Sequence, residues 1–406
     1  MNKILILGAG IYQVPLIKKA KQMGLYTIVA SYQGAYPGLA LADEIWDVDT
    51  RDVDTLLILS KKADINGVVT AGTDVAVGSL GIICETLNLN GLSSKSANTV
   101  TDKALMKEVF VEGQVRTPRA DKAYSLDEAR EAFAKIDKAV LVKAVDSSGS
   151  RGITRVEQFA DIDLAYQEAL AVSKKDYVLV EELVDGHEIG VDGFISHGKI
   201  QFMLPHDKFT HTVGGVTIPA GHVFPFDCTP KLEAEIQDQI KRAIKATGLD
   251  NCAINADVML SGDKAYILEI GGRSGATCIP ELISIYGDFD YYQQMILNAL
   301  GEASEASFSK QCDPLSTIKG SRTACMAKLI FSNVGGVIAA IDEDVIDKLR
   351  SNDVQISLDF ALGDKVEAVK DGTSRIGQVI MRTNDVKALD DIILKVRGAI
   401  KIDEKD

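Results

Sequence analysis

Ala253-Ile254-Asn255-Ala256-Asp257-Val258-Met259-Leu260-Ser261-Gly262-Asp263-Lys264-Ala265-Tyr266-Ile267-Leu268-Glu269-Ile270-Gly271-Gly272-Arg273 decides how this chain reads. Successive side chains of a strand point to opposite faces. Taken as two strands about Gly262, the stretch puts Ile254, Ala256, Val258 and Leu260, with Tyr266, Leu268 and Ile270, on one apolar side. The other side holds Asn255, Asp257, Glu269, Gly271 and Arg273. Both apolar sets face one core only if Asp257 stands opposite Glu269. That demands a loop of odd length, read here as Gly262-Asp263-Lys264, because a two-residue turn would split the carboxylates between faces. Facing carboxylates repel unless a cation lies between them, and an oxygen-only pair suits magnesium. Arg273, on the same side, would face whatever anion that metal holds. In isolation the pattern also fits a surface Asp/Glu/Arg network.

Upstream, Lys143 lies inside the apolar run Ala139–Val145, where an ammonium is costly without an anionic partner. Asp146-Ser147-Ser148-Gly149-Ser150-Arg151-Gly152 follows, and its small residues leave backbone N–H groups able to cradle phosphate. The lysine precedes the loop, so this is not the Walker pattern. A snorkelling lysine beside a hairpin has the same look. Glu181-Glu182-Leu183-Val184 closes a second apolar strand, and Glu188 stands just beyond it. Such an end can read an adenine edge and ribose hydroxyls, although a solvated acidic strand end has the same composition.

Residues 3 to 91 alternate strands (Ile4–Leu7, Thr27–Ser31, Ile45–Val48, Gly67–Ala71) with amphipathic helices, which predicts a doubly wound parallel sheet. Gly8-Ala9-Gly10-Ile11-Tyr12-Gln13 sits where a dinucleotide site carries G-x-G-x-x-G. Gln13 replaces the third glycine, and the second strand ends in Ala30-Ser31 without the ribose-binding acid. A tight strand-to-helix turn is expected instead, with room for a small anion at the helix N-terminus. A helix bearing Lys103 and Lys107 comes next, then a capping box at Ser125–Glu128. Turn signals from His187 onward indicate antiparallel strands, and Thr229-Pro230 opens a helix that Gly248 stops. Four segments result: a Rossmann-like 1–95, a small α+β lobe with its preceding helix at 96–186, a central lobe at 187–301, and a C-terminal α+β lobe at 302–406. Glu302–Lys319 reads as a linker.

Composition narrows the function. The chain has 406 residues with 44 Lys plus Arg against 58 Asp plus Glu, a net charge of −14, which argues against nucleic acid as partner. No apolar run reaches the length of a membrane span, and the N-terminus enters a strand directly, so a cytoplasmic protein is expected. Six scattered cysteines indicate reduced, mostly buried thiols, and His206, His211 and His222 match no zinc spacing. Pro205–His222, with Lys208 and Gly214-Gly215, is read as a mobile loop beside the substrate.

Taken in order, Lys103, Lys143 with its Ser/Gly loop, Glu181 to Glu188, and Asp257 with Glu-x-Gly-x-Arg at 269–273 resemble the ATP-grasp superfamily over roughly residues 1 to 300. The resemblance implies an ATP-grasp fold: α/β and α+β, with the doubly wound parallel-sheet domain first and an α+β lobe last. It implies that Lys103 and Lys143 contact the nucleotide and that Ser147, Ser148, Ser150, Arg151 and Gly152 cover its phosphates. Glu181, Glu182, Leu183 and Val184 would meet adenine, Glu188 the ribose, and Asp257 and Glu269 magnesium or manganese. Arg273 would stabilise the transferring groups, with Lys208 as a second catalytic candidate. Gly271 departs from the family's usual asparagine and removes a ligand of a second ion. Gly8–Gln13, Gly72-Thr73-Asp74, Asp146–Gly152 and Gly372–Gly377 look most like L-amino-acid ligases, with looser similarity to phosphoribosylglycinamide synthetase and the carbamoyl-phosphate synthetase large chain. The implied enzyme is an ATP-dependent carboxylate–amine ligase working through an acyl phosphate on small-molecule acid and amine substrates; a homodimer is the family's tendency. The alternatives are a purine-pathway ligase, a non-catalytic nucleotide-binding protein of the same fold, and an NAD dehydrogenase.

Overall fold

The computed structural model describes residues 1–146, 152–213, 216–302, 322–370 and 374–404. The chain forms two compact units: Met1–Met203 with Asp227–Ser274 and the segment from Tyr292, and Leu204–Phe226 with Gly275–Tyr291 and the C-terminal segment.

In the first unit, four parallel strands run in the order Glu44–Trp46, Tyr26–Ala30, Lys3–Leu7, Gly67–Val69. Ile4 to Leu7 are wholly buried, as a parallel sheet covered on both faces requires. The helices Val14–Gln22, Val53–Ala63 and Val77–Leu87 complete the expected alternation. Gln13 fills the turn before the first of them. Its Oε1 accepts from Gly10 N at 2.8 Å and its Nε2 donates to Ala71 O, so the expected anion seat is occupied by the protein's own side chain.

Two helices follow, Ser94–Thr101 and Lys103–Glu112, divided at Asp102, whose carboxylate accepts from Ala104 N and Leu105 N at 3.0 Å each. That cap places Lys103 in a first turn. An antiparallel sheet then runs Ala120–Ala123, Val178–Glu182, Val140–Ala144, Ile153–Val156. Apolar residues of the helices Leu126–Ile136 and Ile162–Val172 pack with Val140, Val142, Val178 and Val180 into its core. Ser125 Oγ caps Glu128 N as read, but Glu128 reaches back to Tyr124 N rather than to Ser125.

The strands His187–Ser196, Cys252–Ser261 and Lys264–Gly271 form an antiparallel ladder with the middle one at its centre. Asp257 does stand opposite Glu269, and by a route different from the one expected. Ser261 pairs with Lys264, so the turn is the two-residue Gly262-Asp263. A β-bulge at Leu268 supplies the odd residue on the strand instead of in the loop. Its second consequence is that Ala265 and Ile267 enter the core, whereas Tyr266 and Leu268, expected there, are half-buried.

In the second unit, Val216–Phe224, Cys325–Phe331, Arg375–Met381 and Val354–Leu358 are antiparallel neighbours. The helices Glu343–Leu349 and Val386–Gly398 contribute to their core. Of the segment Pro205–His222, read as a loop, the described residues lie in the paired strands Lys199–Val213 and Val216–Phe224, with Lys208 opposite His222. Of the linker read at Glu302–Lys319, all but Glu302 lies outside the described residues. Among the described residues no helix is long and apolar enough to cross a membrane.

Candidate active site

Strand pairing brings the nucleotide-end residues together. Val142 and Lys143 on one strand lie opposite Val180 and Leu179 on the next, and Leu141 lies opposite Glu181. Lys143 is 8 % exposed and ion-paired to Glu181, itself 1 % exposed. Lys107, 6 % exposed, approaches the other oxygen of Glu181 at 2.9 Å. The lysine in an apolar strand therefore has its anion, and shares it with a second cation that the sequence reading left on its helix without a role. The signal was available: Lys103 and Lys107 are four residues apart and so share one helix face. Burial pushes the Glu181 carboxyl up, but Lys107 and Lys143 outweigh it and hold it below the usual carboxylate range. Lys107, desolvated beside a second ammonium, is held below the ordinary lysine value.

Glu182 faces the other way, to Arg119 and Lys138 at 2.9 Å each. The N–H groups of Glu182 and Leu183 are spent on Arg119 O and Ala139 O, so neither is free for a base edge. Gly152 is needed where it stands: φ is +67°, and a Cβ would lie 2.9 Å from both Ala144 Cβ and Val172 Cβ. Ser147, Ser148, Ser150 and Arg151 lie outside the described residues.

The hairpin face is acidic and ordered by register. Asp257 stands between Glu269 and Gly190, Met259 opposite Glu188, and Asn255 between Gly271 and the fully buried Asp192. Lys103 Nζ lies 3.3 Å from Glu269 Oε2. Burial raises the Glu269 carboxyl, and Lys103 more than offsets it, so Glu269 is ionised across the physiological range. The cleft above is lined by Lys103, Glu269, Gly271, Arg273, Asn255, Asp74, Asp102 and Lys175, among others.

Arg273 is committed inward. Its Nε and Nη2 donate to Asp74 Oδ1 and Oδ2 at 2.7 and 2.8 Å, and its Nη1 to Asn255 Oδ1 at 2.6 Å and Ser274 O at 3.2 Å. Burial opposes its charge, but Asp74 prevails and holds the guanidinium more firmly protonated than usual. Lys208 belongs to the second unit. Asp74, Asn255 and Asp192 were not read as site residues. Asp74 comes from a turn nearly two hundred positions earlier, which no local spacing links to Arg273.

Do these residues fit a magnesium nucleotide? Among the described residues, no three His, Cys, Asp or Glu are placed to hold a metal by themselves. Magnesium does not need that, since it commonly takes one or two carboxylates and completes its shell with phosphate oxygens and water. Asp257 and Glu269 share a face at one register level, and an ammonium already stands against Glu269 as a cation there. The residues fit.

Residues 136–281 match the model of the ATP-grasp domain. The chain carries an ATP-grasp domain. It is 25 % identical to the uncharacterized protein y4rH of Sinorhizobium fredii over 95 % of this chain and 79 % of that one. It is 22 % identical to an alanine–anticapsin ligase of Bacillus subtilis, over 60 % of this chain and 55 % of the ligase. The crystal structure of phosphoribosylglycinamide synthetase from Anaerococcus prevotii superposes with a TM-score of 0.82 at 29 % identity, covering all of both chains. The chain is thus similar to ATP-dependent ligases of the ATP-grasp family, which is consistent with a C–N ligase.

Proposed function

We propose that this ligase activates a small carboxylic acid, of amino-acid type, and joins it to an amine. The carboxylate would attack the γ-phosphoryl of ATP, releasing ADP; the amine would attack the acyl phosphate, giving the amide and phosphate. The observation that carries this reading is Asp257 opposite Glu269, with Arg273 three residues past the bulged strand's register pair with Ala256, on the same hairpin. Magnesium held by the two carboxylates would draw charge from the triphosphate. Lys103 and Lys143 are proposed for its phosphates, Glu181 and the Val184 strand end for adenine, and Glu188 for ribose. No side-chain nucleophile is required, because positioning and charge stabilisation suffice for phosphoryl transfer. The alanine-joining relative and the amino-acid-ligase-like motifs support an amino-acid substrate over the purine-pathway alternative.

The test is ADP release by the purified protein with Mg-ATP against pairs of amino acids. Turnover needing both an acid and an amine supports the reading. ATP consumption indifferent to every acid and amine sinks it.

A further inference from the structure

Arg273 carries five N–H donors, and the contacts above engage four of them inside the protein. An arginine meant only to wait for a ligand would not be held so completely. Three features make the arrangement directed. Gly72, with φ +63°, turns the chain after the strand Gly67–Val69, and its N–H donates to Ser274 O at 3.2 Å, pinning Asp74's turn beside Arg273. Asn255 has only one workable orientation. Asp192 can only accept, and takes Nδ2 at 2.8 Å; the guanidinium can only donate, and takes Oδ1. Finally, a Cβ on residue 271 would lie 3.1 Å from Asp74 Oδ1. A methyl group there would press on Asp74 Oδ1, which would have to give by a few tenths of an ångström, so the bare α-carbon of Gly271 suits the carboxylate's approach to the guanidinium fork.

We propose that Asp74 is a positioning residue for Arg273 and that Gly271 is present to admit it. Gly271 is then a fitted partner of the Gly72–Asp74 turn rather than a deficit in the metal site. The two-point carboxylate pair fixes the guanidinium plane, Asn255 and Asp192 fix its far edge, and the remaining Nη2–H is left to meet the anionic centre of the reaction. This rests on the role proposed above for Arg273 and adds the groups that aim it.

The test uses the full chain with Asp74→Asn, Asp74→Glu, Gly271→Ala and the Asp74→Asn/Gly271→Ala double variant, with circular dichroism to show that each is folded. Misaimed groups cost rate more than affinity, so Asp74→Asn should lower kcat by about 10-fold or more with the KM for ATP within about twofold. Asp74→Glu should recover part of the loss. Gly271→Ala should act in the same direction, and the double variant should be no worse than the poorer single, because both break one pair. In nucleotide-free protein, the Arg273 Nε–H resonance should lose its protection from solvent exchange in Asp74→Asn and Gly271→Ala. A kcat for Asp74→Asn within about twofold of wild type, or additive losses in the double variant, would overturn the proposal. So would an unchanged Nε–H. A wild-type protein without acid- and amine-dependent ADP release would instead refute the ligase reading, and the Nε–H measurement would still decide whether Asp74 holds Arg273.

Discussion

Lys107 Nζ stands 2.9 Å from Glu181 Oε2, with both side chains at most 7 % exposed. Beyond that ion pair the oxygen accepts no hydrogen bond. The other oxygen belongs to Lys143, so two ammonium groups depend on one buried carboxylate. Burying three charges is tolerated only while each has its partner. Lys107→Met leaves Glu181 paired to Lys143 but one of its oxygens without a partner, and should therefore cost about 1–3 kcal/mol in denaturant unfolding. It should also raise the KM for ATP, since Glu181, which holds Lys143, loses one of its two cations. A stability within about 1 kcal/mol of wild type would mean that Lys107 is a spectator, given how buried pairs behave.

The Gln13 plug accounts for a feature that sequence alone left ambiguous. Gly8 and Gly10 look like a dinucleotide turn, yet the Gly10 N–H that would meet a phosphate is bonded to Gln13 Oε1. Gln13→Ala should cost about 1–3 kcal/mol, because it strands a buried carbonyl at Ala71 and frees an N–H. It should confer no NAD binding, since the acid for the ribose is still missing from Ala30-Ser31. Calorimetric titration of wild type and variant with NAD checks the second point; measurable binding in either would reopen the dehydrogenase reading.

Asp43 provides a pH signature far from the active site. Lys21 at 2.5 Å, Thr27 N at 2.9 Å and Thr27 Oγ1 at 2.7 Å hold its carboxyl down at about 2. The folded value lies below that of an unfolded Asp, near 3.9. The stabilisation is therefore complete above pH ~4 and fades as pH falls towards about 2. Asp43→Asn should lose stability at neutral pH, and the gap to wild type should narrow between pH ~4 and ~2. A gap that stays constant over that window would show that Asp43 does not contribute through its charge.

Where pattern sets structure, the sequence was legible. The buried run Ile4–Leu7 and the helix Pro230–Thr247, opened at Thr229 and stopped at Gly248, follow from local rules that tertiary contacts did not override. Lys143, Glu181 and Glu269 were legible for a similar reason: charges in apolar strands must be matched. The hairpin shows where pattern reaches its limit. Alternation correctly required one odd residue between Asp257 and Glu269, but cannot say whether a loop or a bulge at Leu268 supplies it. Asp74 escaped for a different reason. Its partner lies in another sheet, and no periodicity encodes a contact between Gly72–Asp74 and Gly271–Arg273.

The carboxylate pair itself yields the sharpest test of the metal assignment. Asp257 and Glu269 occupy one register level, yet Lys103 already neutralises Glu269, so the two acids are not equivalent. Removing charge at Asp257 would take an oxygen from the proposed metal site. Removing it at Glu269 also releases Lys103, proposed for the phosphates. Both Asp257→Asn and Glu269→Gln should raise the Mg2+ concentration for half-maximal turnover by about 10-fold or more, the scale expected when a hard cation loses one of two protein carboxylates. Glu269→Gln should change the affinity for metal-free ATP more than Asp257→Asn, measured with chelator present, because it removes the carboxylate paired with Lys103. Equal metal-free affinities in the two variants would show that Lys103 does not reach the nucleotide, and an unaltered Mg2+ requirement in both would remove the hairpin from metal binding altogether.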